Sequence, residues 1–182
     1  MKLYIDFDGV ILNTIEVSYK RIKEKYGPNA TIEESSEFYR KINWEDFINE
    51  CSPINDSIKH LKNIMESRKY DVTVLTHVLS DHEREAKEKY LEKEIPGIKI
   101  IAVRKPAPKW EAVDCYNTIL VDDFSENLHD WQEHGGFPIK FSQKDKKYSF
   151  MTIDNLGMLL TMYETIKEKM NDKKILVKNK NS

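Results

Sequence analysis

Short apolar runs alternate with segments of helical pattern along most of the chain. Five runs have the length and composition of strands that are buried on both faces. They are Leu3–Ile5, Val72–Leu75, Ile98–Val103, Thr118–Val121 and Phe137–Phe141. Because strands that alternate with helices favour parallel pairing, we predict an α/β fold with a parallel sheet in three layers.

Capping signals predict where the helices begin. Ser80 with Glu83 forms the pattern of a capping box that opens a helix ending near Lys93. On that helix Glu83 and Lys87 are spaced i,i+4, which is typical of an ion pair on a solvated face. A last helix is predicted over 155–170, where the leucines form one apolar stripe.

One stretch, from residue 13 to about residue 67, has helix signals but no strand pattern. Helix-start signals occur there at Asn13, Thr31, Asn43 and Ser52–Pro53. We therefore predict a small helical cap inserted after the first strand. The predicted organisation is a core of residues 1–15 and 53–172, a cap of residues 16–52 and a flexible lysine- and asparagine-rich tail of residues 173–182.

Composition narrows the functional classes. A chain of 182 residues is long enough for one domain with its own core. Its net charge of −2 favours neither stable nucleic-acid binding nor a membrane surface, and no apolar run is long enough to span a membrane. Cys51 and Cys115 form no CxxC motif, which argues against a disulfide framework and favours a reducing, cytoplasmic location. These totals leave the oligomeric state open.

Polar groups follow the predicted strands at the edge where open α/β sheets bind ligands. In chain order they are Asp6 and Asp8, Thr76 and His77, Lys105 and Lys109, and Asp122 and Asp123. Four carboxylates at one edge carry excess negative charge, which a divalent cation with oxygen ligands would relieve, and Mg²⁺ suits such a site. The hydroxyl and a lysine suit a phosphate group.

The motifs resemble, in the same order, those of the haloacid dehalogenase (HAD) superfamily. They are "DFDGVILNT", "VTVLTH", a lysine before the fourth strand and "ILVDD". The resemblance covers residue 1 to about residue 141 and implies a Rossmann-like sheet and a phosphate-ester hydrolase. The segment "ILVDDFSENLHDWQEHGGFPIKF" further resembles the small-cap branch related to 5'(3')-deoxyribonucleotidases.

The resemblance implies a role for the first motif. Asp6 is the expected nucleophile, which forms an aspartyl-phosphate, and Asp8 is the expected general acid and then base. Their i,i+2 spacing places both side chains on one side of an extended chain, while the Phe7 side chain faces the packing. Phe7 and Gly9 are assigned to the phosphate-binding loop, where a glycine lets backbone N–H groups approach the phosphate.

The other motifs complete the expected site. The Mg²⁺ ligands implied by the resemblance are the Asp6 carboxylate, the Asp8 main-chain oxygen and an acid of the pair Asp122–Asp123, with Asp123 favoured. Thr76 is expected to hydrogen-bond a phosphate oxygen, and His77 is a weaker candidate beside it.

A lysine should balance the charge of the phosphorylated aspartate. Lys105 precedes Pro106, as in larger-capped relatives, whereas Lys109 opens a short helix. Lys109 is favoured for the catalytic role, with Lys105 as a phosphate contact.

The short cap predicts a small phosphorylated substrate. Aromatic residues of the cap, Trp44 among them, either pack as its own core or offer a stacking face to a base. We therefore expect a Mg²⁺-dependent phosphomonoesterase that acts on a nucleoside monophosphate, preferably a deoxyribonucleotide. The alternatives are a HAD phosphatase of another small metabolite and a non-catalytic binding or phosphoacceptor module.

Overall fold

A computed structural model of the protein describes the backbone of residues 1–180 and the side chains of residues 1–172. Its strands are β1 (Lys2–Ile5), β2 (Asp71–Val78), β3 (Lys99–Arg104), β4 (Ile119–Asp122), β5 (Phe137–Phe141) and β6 (Met151–Ile153). They form one sheet in the order β3-β2-β1-β4-β5-β6, in which every neighbouring pair is parallel. The predicted α/β class with a Rossmann-like parallel sheet is therefore confirmed.

Helices connect the strands. They are α1 (Thr14–Tyr26), α2 (Ile32–Lys41), α3 (Trp44–Glu50), α4 (Ser57–Glu66), α5 (Asp81–Glu94), α6 (Ser125–Glu133), α7 (Met158–Thr161) and α8 (Tyr163–Lys180). Single 3₁₀ turns lie at Ile54–Asp56 and Lys109–Glu111. No helix of the described chain is long and apolar enough to cross a membrane.

The order of the strands creates a crevice beside β1. The chain moves outward from β1 to β2 and β3, and then returns to place β4 on the other side of β1. Ile5, the last residue of β1, pairs with Val74 of β2 and Val121 of β4. Ligands of open α/β sheets bind where the strand order reverses, so a ligand site is expected at the carboxyl ends of β1 and β4.

Both faces of the sheet are buried. Leu3 and Ile5 belong to an apolar cluster that includes helix residues such as Leu61 of α4. Tyr4 faces the opposite cluster, where its ring lies edge-on to that of Trp131, 5.3 Å away. Burial on both faces explains why the central strands appear in the sequence as unbroken apolar runs.

All five predicted strands are present, with two differences. The second strand continues to Val78, so Thr76 and His77 lie inside β2 rather than after it. The sequence pattern also missed β6, because three residues are too few to establish a period.

The helix predictions were partly wrong. Thr31 forms the expected capping box with Glu34, but Asn13 makes no capping bond and instead accepts from the Ser52 N–H at 2.8 Å. That contact ties together the two ends of the helical insertion. Ser52–Pro53 does not open a helix either, because α4 begins only at Ser57, after a 3₁₀ turn.

Two further expectations concern the chain at and beyond α5. Glu83 and Lys87 are both buried, so their assignment to a solvated face was wrong. In place of one helix over 155–170, α7 and α8 are separate helices. The flexible tail predicted for 173–182 lies outside the residues whose side chains are described.

The helices α1 to α3 occupy the region of the predicted cap. Phe47 and Ile48 of α3 belong to the same apolar cluster as Leu3 and Ile5 of β1. The apolar cluster that contains the β1 residues therefore extends into α3. The boundaries of a separate cap, 16–52, remain a prediction.

Candidate active site

The loop after β1 places two carboxylates in one cavity. The Asp6 N–H donates to the Val121 carbonyl at 2.9 Å, which continues the pairing of β1 with β4. Asp6 and Asp8 both line a cavity of about 400 Å³, whereas the Phe7 side chain is fully buried in the apolar cluster. This is the alternation expected for i,i+2 residues on an extended chain.

Lys109 lies between two of the acids. Its Nζ is 2.8 Å from Asp6 Oδ1 and 2.7 Å from Asp122 Oδ2, and the side chain is only 2% exposed. Burial alone would lower the pKa of Lys109, but the adjacent carboxylates of Asp122 and Asp6 raise it. The ammonium group is therefore charged and neutralises part of the cluster. Lys105, by contrast, is exposed and lies in the wall of the cavity.

Three carboxylates meet at the ends of β1 and β4. One oxygen from each of Asp6, Asp122 and Asp123 lies within 4.8 Å of the others. Burial, with the neighbouring charges of Asp122 and Asp8, raises the pKa of Asp6 to about 8 despite the nearby Lys109. Burial and Asp122 likewise raise the pKa of Asp123 to about 7. Lys109 therefore does not fully offset the desolvation and repulsion that disfavour the ionised forms of Asp6 and Asp123.

The two acids that end β4 have different surroundings. Asp122 is fully buried, and its carboxylate accepts from the Phe124 N–H at 2.7 Å, Lys109 at 2.7 Å and Asn127 at 2.8 Å. No donor among the described side chains or the backbone reaches the Asp123 carboxylate within hydrogen-bond distance. Asp123 is thus the better placed of the two to bind a cation directly, and oxygen ligands of this type suit Mg²⁺.

Gly9 and Lys140 position Asp123. Gly9 has φ +70°, and a Cβ there would lie 2.3 Å from Asp123 Oδ2. Its N–H donates to the Leu12 carbonyl at 2.8 Å and so closes the loop. From β5, the Lys140 ammonium donates to the Asp123 carbonyl and to Ser125 Oγ. Gly9 thus leaves room for the Asp123 carboxylate, and Lys140 ties the loop after β4 to β5.

Asp8 is bound from two sides. Thr14 donates to its Oδ1 at 2.8 Å, while Lys87 and Thr76 donate to its Oδ2 at 2.6 Å and 3.3 Å. Burial alone would raise the pKa of Asp8, but the charge and hydrogen bond of Lys87, with the bond from Thr14, lower it. These contacts therefore favour the ionised form of the Asp8 carboxyl group.

The end of β2 contributes differently from the prediction based on the motif. Thr76 is fully buried and contacts Asp8 and Lys87, and it is not part of the cavity wall. The His77 ring does line the cavity, and its Nε2 donates to the Ala107 carbonyl at 3.1 Å. Burial, followed by Lys109, lowers the pKa of His77 to about 4, so the ring is neutral at neutral pH. The contact of Thr76 with phosphate remains a prediction.

The cavity is charged at its base and apolar at its mouth. Four exposed apolar side chains lie in its wall: Ile15, Tyr19, Leu79 and Phe124. Trp44 also lines it, but this side chain is only 7% exposed, and its ring lies parallel to that of Tyr39 at 6.1 Å. Trp44 therefore packs as a core residue and still contributes to the cavity wall.

The sequence patterns did not identify four residues that contact the acids of the site. They are Thr14, Lys87, Asn127 and Lys140. Only Lys140 carried a usable signal, because a lysine within the buried run Phe137–Phe141 needs a partner. The spacing of Glu83 and Lys87 pointed instead to the surface.

Comparisons with known proteins show which solved structures share this architecture. Neither a family model nor a curated protein matches the sequence. Solved structures do match: a HAD-superfamily hydrolase of subfamily IA from Geobacter sulfurreducens has 13% identity and TM-score 0.60, covering 88% of this chain and 98% of that one. The chain has the HAD fold.

Two more solved structures have the same fold. A haloacid dehalogenase-like hydrolase from Streptococcus pneumoniae has 12% identity and TM-score 0.64, covering 89% of this chain and 97% of its own. A HAD phosphatase from Thermococcus onnurineus has 15% identity and TM-score 0.57, covering 90% and 98%. At such identities the likeness establishes the HAD fold alone, and it does not distinguish the deoxyribonucleotidase-like branch.

Gly9 provides a test of how closely the two loops of this HAD fold must approach. Gly9→Ala should lower the free energy of unfolding more than Gly27→Ala, measured by urea denaturation. Both glycines have positive φ, so each substitution strains the backbone by about 1–2 kcal/mol. Only the Gly9 methyl group meets Asp123, whereas no atom lies within 4 Å of the Gly27 position. Equal losses would contradict the close approach.

Proposed function

We propose that the protein is a Mg²⁺-dependent phosphomonoesterase that acts through an aspartyl-phosphate. The observation that carries the proposal is the Asp6 carboxylate at the base of the cavity, with Lys109 at 2.8 Å and Asp8 in the same wall. The HAD fold and the hydrolase and phosphatase neighbours support it. The preferred substrate class is a nucleoside monophosphate, in particular a deoxyribonucleotide.

The proposed reaction has two steps. Asp6 attacks phosphorus and the bond to the leaving oxygen breaks, while Asp8, which takes up a proton when the negatively charged phosphate binds beside it, donates that proton to the leaving oxygen. Asp8 then accepts a proton from water as the water attacks the phosphoryl group on Asp6, so that phosphate leaves, the Asp6 carboxylate is restored and Asp8 is protonated again. Lys109 stays against Asp6 and offsets the charge that develops on the transferred phosphoryl oxygens.

The donor set fits Mg²⁺. The proposed ligands are the Asp6 and Asp123 carboxylates and the Asp8 main-chain oxygen, while Asp122 holds Lys109 in place. Bound Mg²⁺ would polarise the phosphoryl oxygens and offset the repulsion between the acids. The local excess of carboxylates over lysines is what favours a cation here.

The mouth of the cavity supports a substrate with an uncharged ring. Tyr19 and Phe124 are 68% and 56% exposed beside the acids, so they offer faces to which a flat group can stack. Lys105 is the one cationic side chain in the wall among the described residues. A single phosphate attached to an apolar ring fits this distribution better than a substrate with several charges.

The buried free thiols of Cys51 and Cys115 are consistent with the proposed cytoplasmic location.

The nucleophile is tested by Asp6→Asn. Hydrolysis of p-nitrophenyl phosphate should fall below about 1% of the wild-type rate, because an amide forms no acyl phosphate. The fold should persist, since neutralising one acid relieves repulsion in the cluster. Asp81→Asn, the same change at an exposed aspartate, is the control and should leave the rate unchanged. Substantial activity in Asp6→Asn would exclude the covalent mechanism, and an inactive wild type would favour the non-catalytic module.

The metal is tested by removal and by binding. EDTA should abolish turnover and Mg²⁺ should restore it, whereas Ca²⁺ should bind but support little turnover because its coordination is looser. Calorimetry should detect Mg²⁺ binding to the wild type and a loss of at least about tenfold in affinity in Asp123→Asn. Full activity in excess EDTA, with no heat of Mg²⁺ binding, would rule out the metal site.

The substrate class is tested by comparing nucleotides with other phosphate esters. We expect a higher kcat/KM for dUMP and dTMP than for glucose 6-phosphate and phosphoserine. Phe124→Ala should remove about 1–3 kcal/mol of that preference if the base stacks on its ring. Tyr116→Ala, at an exposed aromatic outside the cavity wall, is the matched control.

Two results would change this assignment. Equal kcat/KM values for all four esters would leave a phosphatase of another small metabolite. A nucleotide preference that survives in Phe124→Ala would move the stacking surface elsewhere in the wall. Trp44→Ala should mainly destabilise the fold, because Trp44 packs in the core.

A further inference from the structure

Lys87 is a buried charge that none of the four motifs contains. It lies on α5 and is fully buried. Its Nζ is 2.6 Å from Asp8 Oδ2, 2.8 Å from Glu83 Oε1, 2.9 Å from the His77 carbonyl and 3.1 Å from Thr76 Oγ1. The ammonium group thus has four oxygen partners, and two of these belong to the cavity-lining carboxylates of Asp8 and Glu83.

The contacts of Lys87 restrict the Asp8 side chain. Thr14 holds Oδ1, whereas Lys87 and Thr76 hold Oδ2. Rotation about either side-chain torsion of Asp8 would therefore break at least one hydrogen bond. Since the bond from Lys87 is charge-assisted and the shortest of the three, it constrains the carboxylate most strongly.

Glu83, which itself lines the cavity, anchors Lys87. One Glu83 oxygen contacts the Lys87 ammonium, and the other accepts from the Leu79 N–H at 2.7 Å. The Glu83 N–H in turn donates to Ser80 Oγ at the start of α5. A continuous series of bonds thus runs from the β2–α5 loop through Glu83 and Lys87 to Asp8.

Stability alone does not account for this arrangement. Desolvating buried ions costs several kcal/mol for each ion, and replacing a buried ion pair with apolar groups of similar volume is often neutral or stabilising. Glu83 and Lys87 are buried together with Asp8, so this cost applies to them. The charged side chains of Glu83 and Lys87 fix the orientation of the Asp8 carboxylate. Apolar side chains in their places would not do so.

We propose that Lys87, anchored by Glu83, is a positioning residue that orients the Asp8 carboxylate for proton transfer to the leaving oxygen and from water. The proposal rests on the proposed phosphatase function, in which Asp8 is the general acid and base. Lys87 acts through Asp8 and is not part of the cavity wall. Misplacing a catalytic group by about 1 Å can lower the rate by about 10²-fold.

The test compares two aryl esters of similar shape, phenyl phosphate and p-nitrophenyl phosphate. Phenoxide is the poorer leaving group and needs the acid more. In Lys87→Met, kcat/KM should fall about 10²-fold for phenyl phosphate and less than about tenfold for p-nitrophenyl phosphate. The parameter kcat/KM is used because it reports the step in which the leaving group departs.

Two controls separate positioning from a general loss of structure. Lys89→Met removes an exposed lysine of the same helix that pairs with Glu45, and it should leave both esters unaffected. In an Asp8→Asn background, Lys87→Met should lower kcat/KM by less than about twofold further, because the group that it positions is already lost. Thermal melting identifies any variant that is not folded.

The outcomes are distinct. Equal losses for the two esters, or full additivity with Asp8→Asn, would overturn the positioning role while leaving the phosphatase proposal intact. If Lys87→Met does not fold, Glu83→Gln keeps the side-chain shape, and its kcat/KM should fall about tenfold further for phenyl phosphate than for p-nitrophenyl phosphate. An equal effect on both esters there would overturn the proposal. Absence of turnover by the wild type would overturn the phosphatase function itself.

Discussion

The repulsion between four carboxylates at one edge of the sheet is the constraint on which this site depends. Asp6 and Asp122 share the Lys109 ammonium, which lies within 2.8 Å of both. Asp8 has an ammonium of its own, that of Lys87 at 2.6 Å. Both lysines are buried, so these attractions act with little screening by water. Of the two lysines, Lys109 joins the end of β1 to the end of β4, whereas Lys87 joins the loop after β1 to α5.

The topology of the sheet brings these charges together. Because β1 lies between β2 and β4, the carboxyl ends of three strands open into one crevice. Asp6 follows β1, Asp122 ends β4 and Thr76 lies near the end of β2, so residues up to 116 positions apart in the chain become neighbours. Gly9 permits the closest approach of the two acidic loops, since a side chain there would collide with Asp123.

The cavity joins two chemically different halves. Its base carries the acids and suits a phosphate ester only when cations offset the charge. Its mouth is formed by exposed apolar side chains such as Tyr19 and Phe124, for which the core provides no partner. Under the proposed function the base carries out the chemistry and the mouth selects the organic group. Catalysis and the selection of the organic group would therefore depend on different residues.

The alternation of apolar runs with helix signals determined the α/β class, the five main strands and the edge at which Asp6, Asp8, Asp122 and Asp123 meet. Parallel strands are buried on both faces, and the residues that follow them lie at one edge of the sheet. These features can therefore be read from short segments of sequence. The tertiary structure alone decided the burial of Lys87 and its contact with Asp8. The i,i+4 spacing of Glu83 and Lys87 indicates that these residues share a face of α5. It does not indicate whether that face is exposed to solvent. Asp8, distant in sequence, supplies the charge that makes the burial of Lys87 possible.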